Sequence, residues 1–229
     1  MFWIVTILIC AALIAYLAYA SACISSGVYL KALCKGDPAR NAVALTFDDG
    51  PDEVMTPKVL DVLKRHGVQA AFFVVGSKAE KHPEIIRRIK EEGHLIECHT
   101  YTHSPFFPLR GKEYVSAEIT MTDDVVSLHT GSRMRFFRPP FGVTNPVIGK
   151  TVTGQGYVTV GWSIRSLDTM TGRSREDVAG KVGKQLHNGA VILLHDRLAE
   201  ADRLLEMIIE EVHAKGMRVE RADRLLEID

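Results

Sequence analysis

The first 30 residues lack any charged side chain, and this absence sets them apart from the rest of the chain. About 20 consecutive apolar residues are enough to cross a bilayer as a helix. The segment therefore predicts a transmembrane anchor within residues 1–30, with residues 2–30 in the membrane. Because Ala20-Ser21-Ala22 has the small-x-small form of a cleavage site, a signal segment that is removed during secretion is the alternative.

The positive charge that usually precedes a signal segment is missing as well. The first basic residues, Lys31, Lys35 and Arg40, follow the apolar segment instead. Under the positive-inside rule, this distribution of charge would place the following domain in the cytoplasm.

The chain also lacks a net charge, since its 229 residues include 28 basic and 28 acidic side chains. Without a basic patch or an acidic block, nothing indicates nucleic-acid binding or a disordered tail. Three of the four cysteines, Cys10, Cys23 and Cys34, lie in or just beyond the apolar segment, which argues against a disulfide framework. No internal repeat is visible, no feature points to a protein partner, and the length fits one sizeable domain.

From residue 41 onward, apolar runs rich in β-branched and aromatic residues alternate with amphipathic stretches of helical spacing. In the first two amphipathic stretches, Val59, Leu60 and Leu63 share one helix face, and so do Ile85, Ile86 and Ile89. Longer helices are predicted near 112–130, 145–155, 175–187 and 200–215. The runs predict strands at 43–47, 70–75, 94–98, 135–138, 157–164, 190–195 and 217–220.

This repeated alternation predicts an α/β domain in which crossover helices join the strands of a parallel sheet. The sheet could be open and doubly wound, or it could form a barrel. In a barrel, functional residues gather at the carboxyl ends of several strands. We therefore expect an apolar segment at 1–30, a linker at 31–40 and a catalytic α/β domain at 41–229.

Asp48 and Asp49 end the first predicted strand, in the stretch ALTFDDGPDE. An Asp-Gly pair is a common turn, so Asp49-Gly50 alone need indicate no more than a turn. Two adjacent carboxylates, however, repel each other unless a cation or a hydrogen-bond donor lies between them. The pair therefore raises the question of what neutralises it.

Polar residues also follow four later strands. Each motif alone is weak: paired histidines are often exposed, RPP is a turn, and a single histidine is often a hydrogen-bonded core residue. Because imidazole is a common neutral metal ligand, their gathering at one rim favours a metal hydrolase site. The remaining histidines are expected to be exposed or to cap helices; they are His66, His82, His94, His129, His187 and His213. The residues at the strand ends are His99 and His103 in an H-x-x-x-H spacing, Arg138 in FRPPFG, Asp168 in RSLDT, and His195 with Asp196 in LLHD.

These residues resemble the ordered motifs of the polysaccharide deacetylases, carbohydrate esterase family 4, also called the NodB-homology domain. The resemblance extends over residues 43–229 and implies a distorted (β/α)7 barrel preceded here by a transmembrane helix. The matching stretches are Thr46-Phe47-Asp48-Asp49-Gly50, His99-Thr100-Tyr101-Thr102-His103, Arg138-Pro139-Pro140-Phe141-Gly142, Asp168-Thr169 and Leu193-Leu194-His195.

By this resemblance, Asp49, His99 and His103 would ligate a divalent ion, most simply Zn²⁺. Asp48 would be the general base. The reaction implied is removal of N-acetyl groups from an amino-sugar polymer or oligomer such as peptidoglycan or chitin.

The same resemblance gives roles to the remaining motif residues. Arg138 would hold the base Asp48, and His195, oriented by Asp168, would be the general acid. The backbone N–H of Phe141 would bind the oxyanion, and Leu193 would line the pocket for the acetyl methyl group.

Two departures from the family pattern stand near the site. Thr169 replaces the usual Trp, so one wall of the groove is expected to be missing. Glu97-Cys98 replaces the usual Gly-Asn before His99, and Cys98 is expected to be a buried small residue rather than a ligand.

Two other functions are compatible with the scaffold: hydrolysis of another C–N amide bond, and carbohydrate binding without catalysis. A wall-acting enzyme should face the periplasm or the cell exterior, which conflicts with the charges after residue 30.

Overall fold

Helix α1 (Phe2–Ala22) projects from the rest of the protein in the computed structural model, which describes residues 2–228. Ala20 is the one residue of this helix that is buried. Its length and composition are sufficient for it to cross a membrane. A short 3₁₀ turn at Ile24–Ser26 follows it and leads into the sheet.

The remainder alternates strands and helices. The strands are β1 (Ala32–Leu33), β2 (Ala42–Asp48), β3 (Ala71–Val74), β4 (Leu95–Cys98), β5 (Phe136–Phe137), β6 (Val158–Val160), β7 (Ile164–Arg165), β8 (Ala190–His195) and β9 (Arg218–Val219). The helices are α2 (Met55–His66), α3 (Gly76–Lys81), α4 (Pro83–Glu91), α5 (Lys112–Thr130), α6 (Pro146–Gly154), α7 (Arg175–Gln185), α8 (Ala201–Ala214) and α9 (Ala222–Leu225).

The strands form one parallel sheet in the order β1-β6-β5-β4-β3-β2-β8-β7, and β9 pairs with the start of β2. The sheet curls into an incomplete barrel whose two edges are β1 and β7. Register brings the strand ends together, because Asp48 lies opposite His195 on β8 and opposite Phe73 on β3. The predicted α/β barrel fold is therefore confirmed.

Apolar side chains fill both faces of the sheet, and every residue of β2 is buried. Helix α2 buries Val59, Leu60 and Leu63, as its spacing predicts, and its chain reverses at Gly67, whose φ is 63°. Helix α4 likewise buries its three isoleucines. Each such side chain contributes roughly 1.5–3 kcal/mol when it is fully removed from water, so these helices are held mainly by packing.

The structure differs from the predicted pattern in the run 157–164. This run is two strands, β6 and β7, which pair at opposite ends of the sheet. Gly161, Trp162 and Ser163 carry the chain between them. A run of apolar residues indicates that the segment is buried but not which strands it pairs with. The break between β6 and β7 could therefore not be predicted from the sequence.

Two further features differ from the expectations. Residues 32–33, within the segment predicted to be a linker, form β1 and pair with β6. His94, expected at the surface, is buried and accepts a hydrogen bond at Nδ1 from the backbone N–H of Ala70. Burial lowers the pKa of His94 to about 4.

Candidate active site

Asp49, His99 and His103 converge at the carboxyl ends of β2 and β4. Oδ1 of Asp49 lies 3.4 Å from Nε2 of His99 and 3.2 Å from Nε2 of His103. Ligands bound tetrahedrally to zinc at about 2.0–2.1 Å stand about 3.3 Å apart, so these separations fit one divalent ion. Among residues 2–228, these three form the only group of His, Cys, Asp or Glu side chains whose ligand atoms lie close enough together to hold one metal ion.

The protonation of the three groups also fits a cation. Nδ1 of His99 donates to the carbonyl of Arg138 at 2.7 Å, which leaves the lone pair of Nε2 directed at the site. Burial and the neighbouring His99 lower the pKa of His103 to about 4, so this ring is neutral at pH 7. Burial opposes ionisation of Asp49, but a hydrogen bond with His99 and the positive charge that the imidazoles carry when protonated outweigh it and hold its pKa far below the usual range.

The loop that carries the two histidines is held by Glu118, a buried residue of α5. Its carboxylate accepts the backbone N–H groups of Tyr101 and Thr102 at 2.9 and 2.8 Å and the hydroxyl of Thr102 at 2.8 Å. Buried charge is stable only when it is hydrogen-bonded, and three donors meet that condition here. The i,i+4 spacing of the histidines is thus maintained in a loop rather than in a helix.

Asp48 turns away from the three ligand-type residues toward Arg138. Nη1 of Arg138 donates to Oδ1 of Asp48 at 2.6 Å and to the hydroxyl of Thr46 at 2.9 Å. The guanidinium is fully buried and lies 4.0 Å above the ring centroid of Phe73. Oδ2 of Asp48 remains 3.8 Å from Nε2 of His99, on the side of the cavity.

His195 and Asp168 form a second pair across the cavity. Nδ1 of His195 lies 2.8 Å from Oδ1 of Asp168, and the backbone N–H of His195 donates to Oδ2 at 2.8 Å. Burial disfavours the protonated ring, but Asp168, together with the charges of Asp48 and Asp49, outweighs burial and raises the pKa of His195. Nε2 of His195 lies 4.0 Å from Oδ2 of Asp49, so it faces the same space.

These groups line a cavity of about 590 Å³, which is within the usual size range of ligand pockets. Leu193 lies at its floor and is almost fully buried, while Phe141 is exposed and packs edge-on against His103. Thr169 lines the cavity at the position where an aromatic residue is usual in the family, and Trp162 lines it as well. The cavity therefore retains an aromatic wall.

Several residues of the site have left-handed backbone conformations although they are not glycine. Asp49, Thr100, His103, Phe141 and Leu167 have φ values of 72°, 66°, 50°, 60° and 62°. Such conformations cost of order 1 kcal/mol or more each and persist where the surrounding structure fixes them. Three of them, Asp49, His103 and Phe141, line the cavity, which is where strained backbone is expected if the cavity is functional.

Besides Glu118, three residues around the cavity were not predicted from the sequence. Arg197 donates from Nε to Oδ2 of Asp49 at 2.9 Å, and Lys78 donates to the carbonyl of Asp49 at 2.7 Å. Trp162 completes the cavity wall. Arg197 follows His195 by two positions, and this closeness in the sequence is the feature that could have indicated it. No feature of the sequence indicated Lys78 or Trp162.

Cys98 is buried in the apolar core, and burial raises the pKa of its thiol to about 12. The thiol is therefore protonated and does not compete for a cation at this site. This agrees with the expectation that Cys98 is a small core residue.

A curled parallel sheet with acids and imidazoles gathered at its strand ends is the arrangement of α/β-barrel enzymes, whose active sites lie at the carboxyl ends of the strands. The chain belongs to the polysaccharide deacetylase family, whose family model matches residues 35–160. The predicted family is thereby confirmed.

Relatives of known function support this membership. The chain is 39% identical over 180 residues to a peptidoglycan-N-acetylglucosamine deacetylase of Bacillus cereus, covering 77% of this chain and 65% of that protein. It is 31% identical to the peptidoglycan-N-acetylmuramic acid deacetylase PdaA of Bacillus subtilis, covering 83% and 73% of the two chains. It is 33% identical to a chitooligosaccharide deacetylase of Sinorhizobium fredii, covering 73% and 78%.

Solved structures agree on the fold. The Bc1960 peptidoglycan N-acetylglucosamine deacetylase superposes with a TM-score of 0.81 at 34% identity, covering 86% of this chain and 93% of that one. The pseudoenzyme BA3943 of Bacillus anthracis superposes with a TM-score of 0.78 at 23% identity, covering 84% and 68%. Because a pseudoenzyme shares this fold, the fold alone does not establish catalysis. Catalytic activity has to be inferred from the residues of the site.

Proposed function

We propose that this protein is a metal-dependent hydrolase that removes N-acetyl groups from an amino-sugar polymer or oligomer. The observation that supports this most directly is the arrangement around one cavity of a ligand set, a base and an acid. Asp49, His99 and His103 have the spacing of metal ligands, with Asp48 on one side and His195 on the other.

Asp49, His99 and His103 would hold the divalent ion, for which Zn²⁺ is the best fit to a donor set of two neutral imidazoles and one carboxylate. An ion there supplies Lewis acidity, which makes water a better nucleophile at neutral pH and withdraws electrons from an amide carbonyl. In the proposal, the ion also reduces the repulsion between the adjacent carboxylates of Asp48 and Asp49. The ion, together with Arg197, would offset the charge of Asp49, while Arg138 offsets that of Asp48.

In the proposal, Asp48 removes the proton from the attacking water. Its Oδ1 is occupied by Arg138, which leaves Oδ2 free to accept that proton. Arg138 makes three further hydrogen bonds and is fully buried, so it fixes the position of the base rather than contacting the substrate.

In the proposal, His195 donates a proton to the leaving amine nitrogen. Asp168 accepts from Nδ1, so Nε2 carries the exchangeable proton and faces the cavity. The raised pKa of His195 favours the imidazolium form that a general acid needs. As the C–N bond breaks, the amine leaves with that proton and the acetyl carbon keeps the oxygen from water, giving acetate.

Phe141 and Leu193 would position the acetamide group. The backbone N–H of Phe141 would donate to the developing oxyanion, and Leu193 would contact the acetyl methyl group at the floor of the cavity. The relatives act on peptidoglycan and on chitooligosaccharides by name, so an N-acetylated glycan of one of these kinds is the proposed substrate.

The experiment that tests this proposal measures acetate release by the full chain from peptidoglycan and from chitooligosaccharides, with and without a chelator. We expect release from at least one glycan and recovery of activity when Zn²⁺ is restored. Hydrolysis of a small amide with no release from either glycan would support the second candidate, another C–N hydrolase on this scaffold. Binding of glycan without any hydrolysis would support a carbohydrate-binding protein.

We further propose that α1 anchors the enzyme in a membrane, with residues 41–229 as the catalytic domain on the periplasmic or extracellular side. The support is the length and composition of α1 and the wall substrates of the relatives. Protease added to intact spheroplasts should digest the domain while a cytosolic marker survives. Protection of the domain until the membrane is broken would mean that the basic residues after the helix, Lys31, Lys35 and Arg40, determine the orientation. Release of a soluble domain would identify a cleaved signal.

A further inference from the structure

The junction between α1 and the catalytic domain has direct contacts in place of a free linker. The backbone N–H of Thr144 donates to the carbonyl of Ser21 at 2.9 Å, and its hydroxyl donates to the carbonyl of Ala20 at 3.2 Å. Ser26 donates to the same carbonyl of Ala20 at 3.1 Å, and Ile24 is buried beside Gly161. The last turn of the helix is therefore attached to the loop before α6.

The length of α1 fixes where this junction lies if the helix spans a bilayer. At about 1.5 Å per residue, its 21 residues extend about 31 Å, and the hydrocarbon core is about 30 Å thick. A helix of this length matches the hydrocarbon thickness, so Ala20, in its last turn, would lie near the edge of the hydrocarbon. Thr144, bonded to Ala20, then lies in the headgroup layer, which adds roughly 5–8 Å on each side.

Exposed apolar side chains lie on two segments that adjoin this junction. Asn145, the neighbour of Thr144, donates to the carbonyl of Pro108 at 2.6 Å and so brings the turn at 105–109 beside the junction. In that turn, Leu109 is 82% exposed and Phe106 is 59% exposed, while Phe107 between them is buried and holds the turn in place. Val147, in the first turn of α6, is exposed as well.

Two exposed cations, Arg110 and Lys112, follow the turn directly. Basic side chains at a membrane surface are attracted to anionic lipid headgroups by about 1 kcal/mol each. A patch of large apolar side chains with adjacent cations is the composition of surfaces that lie in the interfacial layer of a bilayer. We call Phe106, Leu109, Arg110, Lys112 and Val147 the interfacial surface.

We propose that the interfacial surface is a membrane-binding face that inserts into the headgroup layer of the bilayer crossed by α1. The proposal depends on α1 spanning that bilayer and is otherwise independent of the chemistry at the active site. The occupant is an anionic lipid surface, because the patch is joined to the end of α1 through Thr144 and Asn145 and its border carries two cations, Arg110 and Lys112, against one exposed acid, Glu113.

Membrane contact here would determine which substrate the enzyme reaches. Phe141, at the mouth of the cavity, precedes Thr144 by three residues, which limits their separation to about 10 Å. The cavity would thus open beside the membrane surface, and the enzyme would act on N-acetylated glycan held close to the bilayer rather than on glycan far from it.

The test is the depth of a tryptophan placed in the interfacial surface. Full-length Leu109→Trp is reconstituted in vesicles of phosphatidylglycerol and phosphatidylcholine whose acyl chains carry bromine near the headgroup. The matched control is Leu128→Trp, since Leu128 is 79% exposed but lies near the other end of α5, whose 19 residues extend about 28 Å. Emission from Trp3 and Trp162 is subtracted with the unmodified chain, and Phe106→Trp serves as a second probe of the same surface.

We expect several-fold stronger quenching of the tryptophan at position 109 or 106 than at position 128. Equal quenching at all three positions, in chains that float with the vesicles, would overturn the proposed face while leaving the anchor intact. Chains that do not float with the vesicles would overturn both the anchor and the face. Acetate release by the unmodified chain in detergent is measured in parallel, so that failure of the enzymatic proposal is recognised separately.

Discussion

Arg197 donates from Nε to Oδ2 of Asp49 at 2.9 Å, while Oδ1 of the same carboxylate faces His99 and His103. The carboxylate of Asp49 thus contacts the guanidinium of Arg197 through one oxygen and faces the proposed metal position with the other. The hydrogen bond holds the plane of the carboxylate so that Oδ1 points at the two imidazoles.

We predict that Arg197→Ala weakens metal binding roughly tenfold, because partners that orient a ligand typically contribute one to two orders of magnitude to affinity. Titration of the metal-free full chain with Zn²⁺ measures this change. Tighter binding in the variant would contradict the prediction and would show that charge repulsion from the guanidinium outweighs its orienting effect. Arg203→Ala, on the surface of α8, is the control and should leave affinity unchanged.

His103→Ala should remove most of the bound metal, since it deletes one of three ligands. The purified wild-type protein is expected to contain about one divalent ion per chain, as a three-ligand site implies. Elemental analysis of the two proteins checks the difference, with His213→Ala on an exposed part of α8 as the matched histidine control. Equal metal content in His103→Ala and in the wild type would refute the ligand assignment.

Asp48→Asn and His195→Ala should each retain metal and lose activity, by roughly 10²–10⁴ for loss of a general base or acid. Neither side chain belongs to the proposed ligand set. Because Asp48→Asn leaves the buried Arg138 without a charged partner, its thermal stability is measured together with its rate and metal content. Full activity in either variant would exclude that residue from the proposed mechanism.

Gly142→Ala should destabilise the protein and lower its activity. The φ of Gly142 is 70°, and an added Cβ would lie 2.5 Å from Cη2 of Trp162, next to Phe141. Gly131→Ala is the matched control, because Gly131 has a φ of 66° but open space around it. The difference in the free energy of unfolding between the two variants, expected to be roughly 1–3 kcal/mol, isolates the overpacking against Trp162. Similar losses in both would show that the ring moves aside.

We predict that the buried His94 makes the folded protein less stable in acid. Its folded-state pKa, about 4, is below the ordinary value of 6.5, so between these pH values the unfolded chain binds more protons than the folded one. The free energy of unfolding should therefore fall as the pH is lowered from 6.5 towards 4, by roughly 1–3 kcal/mol from this residue.

Urea unfolding of the full chain in detergent micelles measures this slope. His94→Gln should flatten it, since glutamine does not take up a proton and its amide oxygen can accept from the N–H of Ala70. His213→Gln, an exposed histidine, should keep the wild-type slope. An unchanged slope in His94→Gln would show that other groups account for the loss in acid.

The sequence predicted the parts of the site that lie at strand ends, because strand-ending carboxylates and imidazoles stand out against apolar runs. Asp48 and Asp49, and likewise His195, appear in the structure where the parallel sheet brings them together. The sequence did not indicate Glu118, whose role depends on a contact between α5 and a loop 16 residues away. It also did not indicate Trp162, which the pattern of apolar residues assigned to one continuous strand. Pairing partners and long-range hydrogen bonds leave no periodic signal, so these features required the structure.

Arg138 has a mechanical role that follows from its four hydrogen bonds. Among residues 2–228, the edge strands β1 and β7 each pair on one side only, and no strand pairing closes the opening between them. The guanidinium of Arg138 bridges part of this interior, since it donates to the carbonyls of Val160 and Gly161 at the end of β6 and to Thr46 and Asp48 on β2. One side chain therefore links the curvature of the sheet to the orientation of Asp48, and a force that spreads the barrel edges would also displace the carboxylate proposed as the base.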